Sequence, residues 1–258
     1  MKDLAEVLAD VDSLGQPFRV TVRGIEGPPV TGSVDGFASA SLAVPGTGEA
    51  QRMVDLHARF RGMPRARHAG SLVFQRYSHR VCGVGVAAWL RHGAVLDLSA
   101  TNVHVRFVDG SPDLVELARP AAQFPGSAND LVRIVLDEHL VPVAQALAAA
   151  YGPRMPNLLG NIAAGFAGAF RHLGRSHPAA EVAAAAEQVA AADPRLRRGG
   201  TYRTLSGPAG DRLQYDRVSC CHWYAAPDGK FCSWCSRLSF DERTARFRAA
   251  MDEESRGQ

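Results

Sequence analysis

Residues 220–235 read CCHWYAAPDGKFCSWC, and four of the five cysteines of the chain lie in this stretch. Their spacing is C-C-x10-C-x2-C. Clustered thiolates bind soft metal ions and iron–sulfur clusters, whereas disulfides are typical of oxidising compartments. The Pro227-Asp228-Gly229 tripeptide favours a tight turn, because proline fixes φ at the first turn position and glycine accepts a positive φ. Such a turn brings the first cysteine pair towards the second, so the stretch predicts a metal site.

The spacing also bears on which metal is held. In an extended chain adjacent side chains point to opposite faces, so an adjacent cysteine pair is poorly placed for one tetrahedral ion. Zinc sites usually use two spaced pairs. A two-iron cluster is larger and offers two attachment points, which favours [2Fe–2S] and leaves zinc as the alternative. Aromatic residues between the cysteines either shield a redox centre or pack a small hairpin; they are Trp223, Tyr224, Phe231 and Trp234.

The ending CC-x10-CSWCSRL resembles the C-terminal signature of the FhuF-type ferric-siderophore reductases. In that family the four cysteines hold a [2Fe–2S] cluster. The upstream region is similar to the family in its size and in the helical segment Leu158-Leu159-Gly160-Asn161, while Ser236 stands where related sequences often have proline. The resemblance implies that the metal and cofactor ligands are Cys220, Cys221, Cys232 and Cys235.

The function that this resemblance implies is that of a cytoplasmic iron reductase for iron acquisition. Such an oxidoreductase passes one electron to the Fe(III) of a ferric siderophore and releases Fe(II), which oxygen chelators bind far less tightly. No catalytic residue beyond the cluster ligands is needed. The sequence G-x-G-x-x-A from Gly83 lacks the preceding strand of a dinucleotide site. We therefore expect a separate electron donor, a ferredoxin or a flavin-dependent reductase.

Two other functions fit the same residues. One is a structural zinc module attached to a helical ligand-binding domain, without redox activity. The other is a non-catalytic iron–sulfur sensor, which has a redox-active cluster but does not turn over a ferric chelate. The visible spectrum separates zinc from iron, and turnover of a chelate separates the sensor from the reductase.

Composition narrows the class of protein further. The 258 residues are 46% hydrophobic and 21% charged, with a formal net charge of +3, which is typical of a soluble globular protein. This mild charge does not indicate nucleic acid as a partner. The polar N-terminus, Met1-Lys2-Asp3-Leu4-Ala5-Glu6, lacks a signal-peptide pattern. Because no apolar run approaches the ~18 residues of a membrane span, we expect no stable membrane insertion and a cytoplasmic location with reduced thiols.

Residues 51–80 are strongly basic, with seven arginines and three histidines against the single acid Asp55. Such a segment is either a cationic wall that faces an anionic ligand or an ordinary solvated face. Arginine suits the first role because its planar guanidinium binds anions through paired hydrogen bonds. As candidate substrate-binding residues we name Arg59, Arg65, Arg67 and His68.

The hydrophobic pattern predicts an α+β fold: a large, mostly helical domain with a small sheet, followed by a small cysteine-rich iron–sulfur module. The predicted domains are 1–195, which binds the siderophore, and 196–258, which binds the cluster. The lone Cys82 is expected to be a small buried apolar residue.

The predicted helices are at 3–14, 50–61, 71–90, 127–150 with a kink at Pro142, 156–173, 178–192 and 239–251. A loop region is predicted at 24–50 with a short strand at 41–44, and a hairpin is predicted at 102–118. Ser239 and Glu242 form a capping box at the start of the last helix.

Overall fold

Helices dominate the computed structural model, which describes residues 3–25, 32–208 and 210–256. Most of the predicted helical segments are present within two or three residues of their expected bounds. In the described parts of the chain the α-helices are α1 (Leu4–Ser13), α2 (Ser39–Leu42), α3 (Glu49–Arg61), α4 (Ala66–His92), α5 (Ala128–Val132), α6 (Val141–Tyr151), α7 (Met155–Leu173), α8 (Ala179–Ala192), α9 (Pro194–Arg197) and α10 (Phe240–Arg256).

The strands form one four-stranded sheet and two smaller pairs within the described residues. In the larger sheet the order is β1-β5-β4-β2, and β1 runs parallel to β5 while the other neighbours are antiparallel. The predicted α+β class is therefore confirmed. The strands are β1 (Val20–Val22), β2 (Val34–Ala38), β3 (Val95–Leu96), β4 (Val103–Val108), β5 (Ser111–Leu117), β6 (Ala122–Gln123), β7 (Gly200–Gly207) and β8 (Gly210–Arg217).

Helices α4 and α7 lie side by side at the centre of the molecule. Both are buried over most of their length, because apolar and small residues predominate in their central turns. A Cβ atom on Gly165 of α7 would lie 3.0 Å from the Sγ of Cys82 and from the carbonyl oxygen of Ser78 on α4, so a side chain here would push the two helices slightly apart. Cys82 is fully buried in this interface, as the sequence predicted.

Two local predictions were wrong. Ser41 and Leu42, predicted as strand, lie in α2, and the neighbouring strand is β2. The helix predicted to begin at residue 71 begins at Ala66, so it reaches into the basic segment. Residues 26–31 of the region predicted to be loop lie outside the described residues.

Pro142 changes the helix after residue 127 in a way that the sequence did not reveal. The segment Arg133–Leu140 is a π-helix that continues into α6, where a kink was predicted. Proline has no N–H to donate to the carbonyl of Glu138 four residues earlier. That carbonyl instead accepts a hydrogen bond from the N–H of Ala100 at 3.0 Å, so the carbonyl that proline cannot pair has a partner.

The chain after residue 195 packs directly on the central helices. The β7–β8 hairpin contacts α7 and α8, and α10 covers the hairpin with its buried Phe247 and Met251. Tyr215 of β8 and Trp234 of the cysteine stretch belong to the same hydrophobic core as α4 and α7. The boundary between residues 195 and 196 stays a prediction.

The packing of the cysteine stretch against α7 can be tested at Gly160. A Cβ atom there would lie 2.7 Å from the Cβ of Ser219, the residue before Cys220. In Gly160→Ala the Ser219 backbone must shift, which we expect to lower the free energy of unfolding by about 1–3 kcal/mol. The higher helix propensity of alanine offsets about 1 kcal/mol of that loss. Urea denaturation measures this. Gly36→Ala is the control, since nothing lies within 4 Å of its Cβ position, and equal stabilities for the two variants would contradict the prediction.

Candidate functional site

The cysteine stretch is folded by a series of short turns. His222 takes a left-handed conformation (φ 66°), which starts the 3-10 turn Trp223–Ala225. The N–H of Gly229 then donates to the carbonyl of Ala226 at 2.8 Å, so the predicted Pro227-Asp228-Gly229 turn is present. An ion pair of 2.7 Å between Asp228 and Arg61 fastens this turn to α3.

These turns bring the four cysteines of the stretch together. The thiol of Cys232 lies close enough to those of Cys221 and Cys235 to shift the pKa of each. Cys220 lies close enough to Cys221 and Cys235 for their charges to interact. Cys221 and Cys235 are each only 4% exposed, and the other two are half-buried. The predicted ligands therefore share one largely dry location.

A backbone N–H group donates to one of the sulfur atoms, since the N–H of His222 lies 3.4 Å from the Sγ of Cys220. The backbone N–H groups of Trp223 and Arg237 lower the pKa of Cys221 and that of Cys235, respectively. Hydrogen bonds of this kind stabilise sulfur as the thiolate, the form that binds metal, and tune the potential of iron–sulfur clusters.

The thiols differ in acidity because of their mutual contacts. The contact with Cys232 lowers the pKa of Cys221 and that of Cys235 to about 6 in each case. The same contacts raise the pKa of the Cys232 thiol, and burial raises that of Cys220.

A buried arginine stands beside the four thiols. Arg217, the last residue of β8, is 1% exposed, and its charge lowers the pKa of each of the four cysteines. Its Nη2 donates to the Oδ1 of Asn161 at 2.7 Å and to the Oγ of Ser219 at 3.3 Å. Its Nε and Nη1 atoms have no hydrogen-bond partner among the described residues.

Asn161 links Arg217 to the central helices, because its Nδ2 donates to the carbonyl of Ser71 on α4 at 2.9 Å. A buried guanidinium without a carboxylate is costly unless another anion is near. Thiolates and the sulfides of a cluster are such anions. The residues around the cysteines therefore fit an anionic iron–sulfur group, although among the described residues no three His, Cys, Asp or Glu side chains are arranged to hold a single metal ion.

A cavity of about 580 Å³ opens directly beside the cysteines. Cys221 and Cys232 form part of its wall, together with the aromatic residues Trp223, Phe231 and Trp234. The opposite sides come from three helices. They contribute Leu72, Gln75, Arg76 and His79 from α4, Arg171 from α7, and Arg246, Ala249, Ala250 and Glu253 from α10.

The cavity is basic. Arg76, Arg171, Lys230 and Arg246 line it, against the single acid Glu253 among its described lining residues. Burial lowers the pKa of Arg76 and that of Arg171, as expected for cations held partly away from water. We call these four side chains the cavity cations.

None of the four predicted substrate-binding residues is among the described residues that line the large cavity. Arg65 and His68 line a smaller cavity of about 250 Å³ with Tyr224, and the ring of His68 stacks on that of His222 with centroids 4.5 Å apart. Arg67 and Arg59 are exposed on α4 and α3. Neither of these two is among the described residues that line the large or the small cavity, and the substrate role of all four stays a prediction.

The sequence missed the cavity cations, although one signal pointed to Arg76. Leu72, Gln75, Arg76 and His79 are spaced three or four residues apart, so on a helix they share one face. That face lies in the basic segment, and in the structure it lines the cavity beside the cysteines. No sequence signal connected Arg171 or Arg246 to the cysteines, because only long-range packing brings α7 and α10 to them.

Comparison with known proteins supports the family resemblance, and the residues that match lie outside the cysteine stretch. The family model described as ferric iron reductase FhuF-like transporter matches residues 71–204, slightly more than half of the chain. The chain belongs to this family of FhuF-like ferric iron reductases, which suggests a ferric-siderophore reductase role. The matched residues include α4 and α7 but end before the cysteine stretch. A search of curated proteins found no match.

No helix in the described parts of the chain is both long enough and apolar enough to cross a bilayer.

Proposed function

We propose that the protein is a cytoplasmic [2Fe–2S] reductase that transfers one electron to Fe(III) in a siderophore complex. The observation that carries the proposal is the position of the basic cavity, whose wall includes Cys221 and Cys232. A chelate in this cavity would lie beside two of the proposed ligands. Family membership supports reduction of ferric iron as the reaction.

The proposed ligands are Cys220, Cys221, Cys232 and Cys235. A two-iron cluster takes two thiolates at each iron, so its four ligands need not surround one point. The N–H of His222, which donates to Cys220, and the unpaired Nε and Nη1 of Arg217 support an anionic group among these cysteines. When bound, the cluster supplies single electrons, with no need for a protein acid or base.

The protein's own residues then have three tasks. The cysteines and Arg217 hold the redox group in a dry location. The cavity cations bind the chelate beside it. Trp223 and Trp234 fill the space around the sulfurs and exclude water, since Trp234 is 8% exposed and packs in the core. Low exposure of a cluster helps to set its potential.

The electron must enter from another protein, for which we propose a ferredoxin or a flavin-dependent reductase. Each turnover takes one electron from this donor and gives one to Fe(III). The product Fe(II) leaves because oxygen chelators hold it weakly. The siderophore is released unchanged and without bond cleavage.

The test is the spectrum of the protein purified without oxygen. We expect a red-brown protein that contains two irons and two sulfides per chain, as a [2Fe–2S] group requires. It should bleach with dithionite and recover its colour when a ferric siderophore is added. The recovery distinguishes a reductase from a sensor.

Two outcomes would overturn the proposal. A colourless protein with one equivalent of zinc would favour the structural zinc module. A coloured protein that stays bleached when a ferric chelate is added would favour the sensor.

A further inference from the structure

Three arginines without acidic partners surround the place where the cysteine stretch meets the start of α4. Arg65, Arg67 and Arg237 are all exposed. In the described parts of the chain none of the three forms an ion pair with a carboxylate. Asp228, the acid of the neighbouring turn, is already paired with Arg61 at 2.7 Å. We call these three side chains the surface arginines, and their charge is open to an external anion.

Aromatic rings join the surface arginines into one patch. Arg65 lines the small cavity with Tyr224, and the Cζ of Arg237 lies 4.4 Å from the ring centroid of Tyr224. The ring of Tyr224 is tilted against that of His222, with centroids 6.2 Å apart. Burial and the charges of neighbours that include Arg67 and Arg237 lower the pKa of His222 to about 4. The three cations therefore surround a single aromatic surface.

The patch leads directly to one of the cysteines. The N–H of His222 donates to the Sγ of Cys220 at 3.4 Å, and the His222 ring stacks on that of His68 at the small cavity. Cys220 is half-buried but is not among the described residues that line the large cavity. Electron transfer slows steeply with distance, so a redox protein docked on the patch would have a short route to Cys220.

The shape of the patch favours a protein over a small molecule. The small cavity has a volume of about 250 Å³, below the ~300–1,000 Å³ of usual ligand pockets, which leaves too little room for a nicotinamide dinucleotide or a flavin. Cations on an exposed face instead steer a partner of opposite charge, because long-range attraction speeds the encounter. Redox proteins associate briefly through small interfaces, where such steering matters most.

We infer that the surface arginines form the docking site of an acidic one-electron carrier protein of the ferredoxin type. The carrier is oxidised by one electron and the centre at the cysteines is reduced by one, with no bond formed or broken. The described residues that line the large and the small cavity have no member in common, so docking does not use the residues proposed to bind the chelate. This inference rests on the proposed function for its need of a donor. It goes beyond that function in choosing the donor class and in assigning the surface.

The first measurement is binding without electron transfer. Isothermal titration calorimetry of the purified protein with an oxidised plant-type [2Fe–2S] ferredoxin, which is an acidic protein, gives the dissociation constant. We expect binding at about 0.01 M salt, where charges interact over about 30 Å. The affinity should fall on the order of tenfold at about 0.1 M salt, where screening shortens that range to about 10 Å.

The second measurement follows the electron. Stopped-flow absorbance records reduction of the protein by the same ferredoxin, reduced beforehand, and by the methyl viologen radical, a small one-electron donor of positive charge. The rate with ferredoxin should fall as salt is added, because screening removes the attraction. The rate with the viologen cation should not fall.

A triple variant assigns docking to the surface arginines. Arg65→Gln/Arg67→Gln/Arg237→Gln should bind ferredoxin on the order of tenfold more weakly at low salt, since each exposed charge contributes a small share. Electron transfer from ferredoxin should slow with it, whereas reduction by the viologen cation should not. Circular dichroism and the visible spectrum verify that the variant is folded with its metal centre.

The matched control removes the same total charge elsewhere. Arg119→Gln/Arg197→Gln/Arg248→Gln replaces three exposed arginines that are not among the described residues lining either cavity. Its affinity for ferredoxin should stay within about twofold of that of the wild type, because only charges near the interface act strongly.

The outcomes separate this inference from the proposed function. Ferredoxin binding that is absent or insensitive to salt, or an equal loss in the two triple variants, would overturn the inference even if the protein reduces ferric siderophores. Slower reduction of the Arg65/Arg67/Arg237 variant by viologen would also overturn it, because the arginines would then act on the metal centre rather than on docking. A colourless, zinc-containing protein would overturn the proposed function, whatever its affinity for ferredoxin.

Discussion

Replacement of any one of Cys220, Cys221, Cys232 and Cys235 by serine is expected to abolish or strongly alter the visible absorption of the protein. The hydroxyl of serine is far less acidic than a thiol and is a harder ligand, so it is a poor replacement on a cluster that favours soft sulfur donors. We expect the iron content to fall on the order of tenfold or more, since even indirect contacts to a metal centre are worth that much. Absorption, iron analysis and the paramagnetic signal of the dithionite-reduced protein measure the effect.

Cys82→Ala is the matched control. The Cys82 thiol is buried between α4 and α7, where burial raises its pKa well above the ordinary value, and its contact at 3.9 Å is with the carbonyl of Ile162. Removal of its sulfur leaves a small cavity that costs about 1–2 kcal/mol, and the cluster signals should stay intact. If Cys82→Ala lost the cluster while Cys220→Ser kept it, the ligand assignment would be wrong.

Arg217→Met is expected to lower the midpoint potential of the cluster on the order of 100 mV. The direction follows from charge: reduction adds an electron to an anionic centre, and a buried cation nearby stabilises the more negative state. Loss of that cation therefore disfavours reduction. A spectroelectrochemical titration measures the potential directly, independently of any ferric substrate.

Two further variants make this prediction specific. Arg212→Met removes the same charge from the opposite end of β8, where Arg212 hydrogen-bonds only the carbonyl of Asp211 among the described residues, and should leave the potential near that of the wild type. Arg217→Lys keeps the charge but loses the paired contacts to Asn161 and Ser219, so its potential should fall between those of the wild type and Arg217→Met. The same midpoint potential for Arg217→Met and Arg212→Met would refute the role of Arg217. If Arg217→Met does not retain iron, the potential of Arg217→Lys is compared with that of the wild type instead.

Local features of the fold were accessible from the sequence. The β4–β5 hairpin, the Pro227-Asp228-Gly229 turn and the start of α10 each depend on residues a few positions apart. At α10, for example, the Oγ of Ser239 accepts from the N–H of Glu242 at 3.2 Å, and the Oε2 of Glu242 accepts from the N–H of Ser239 at 2.8 Å, as the capping pattern indicates. Interactions between residues so close in the chain can be predicted from their spacing in the sequence.

The site depends on packing that no spacing reveals. Arg217 ends a strand of mixed polar and apolar residues, where an arginine is usually solvated. It is buried because the β7–β8 hairpin packs on α7, where Asn161 accepts its hydrogen bond. Likewise the cavity cations come from four separate segments, and the basic run at 51–80 contributes only Arg76 to them. Charge density along the chain was therefore a poor guide to charge density in space.

The attachment of α10 has a consequence for the range of molecules that the cavity can admit. This helix supplies one wall of the cavity but is fixed to the hairpin by the buried side chains of Phe247 and Met251, while most of its other residues face water. A helix with so small an apolar anchor opens locally at a lower free energy than the deeply buried α4 and α7. The side of the cavity that holds the cysteines is therefore more rigid than the side that α10 forms. We expect bulkier ligands to displace α10, a movement that breaks the ion pair between Glu254 and Arg175 and the hydrogen bond from Arg246 to the carbonyl of Phe231.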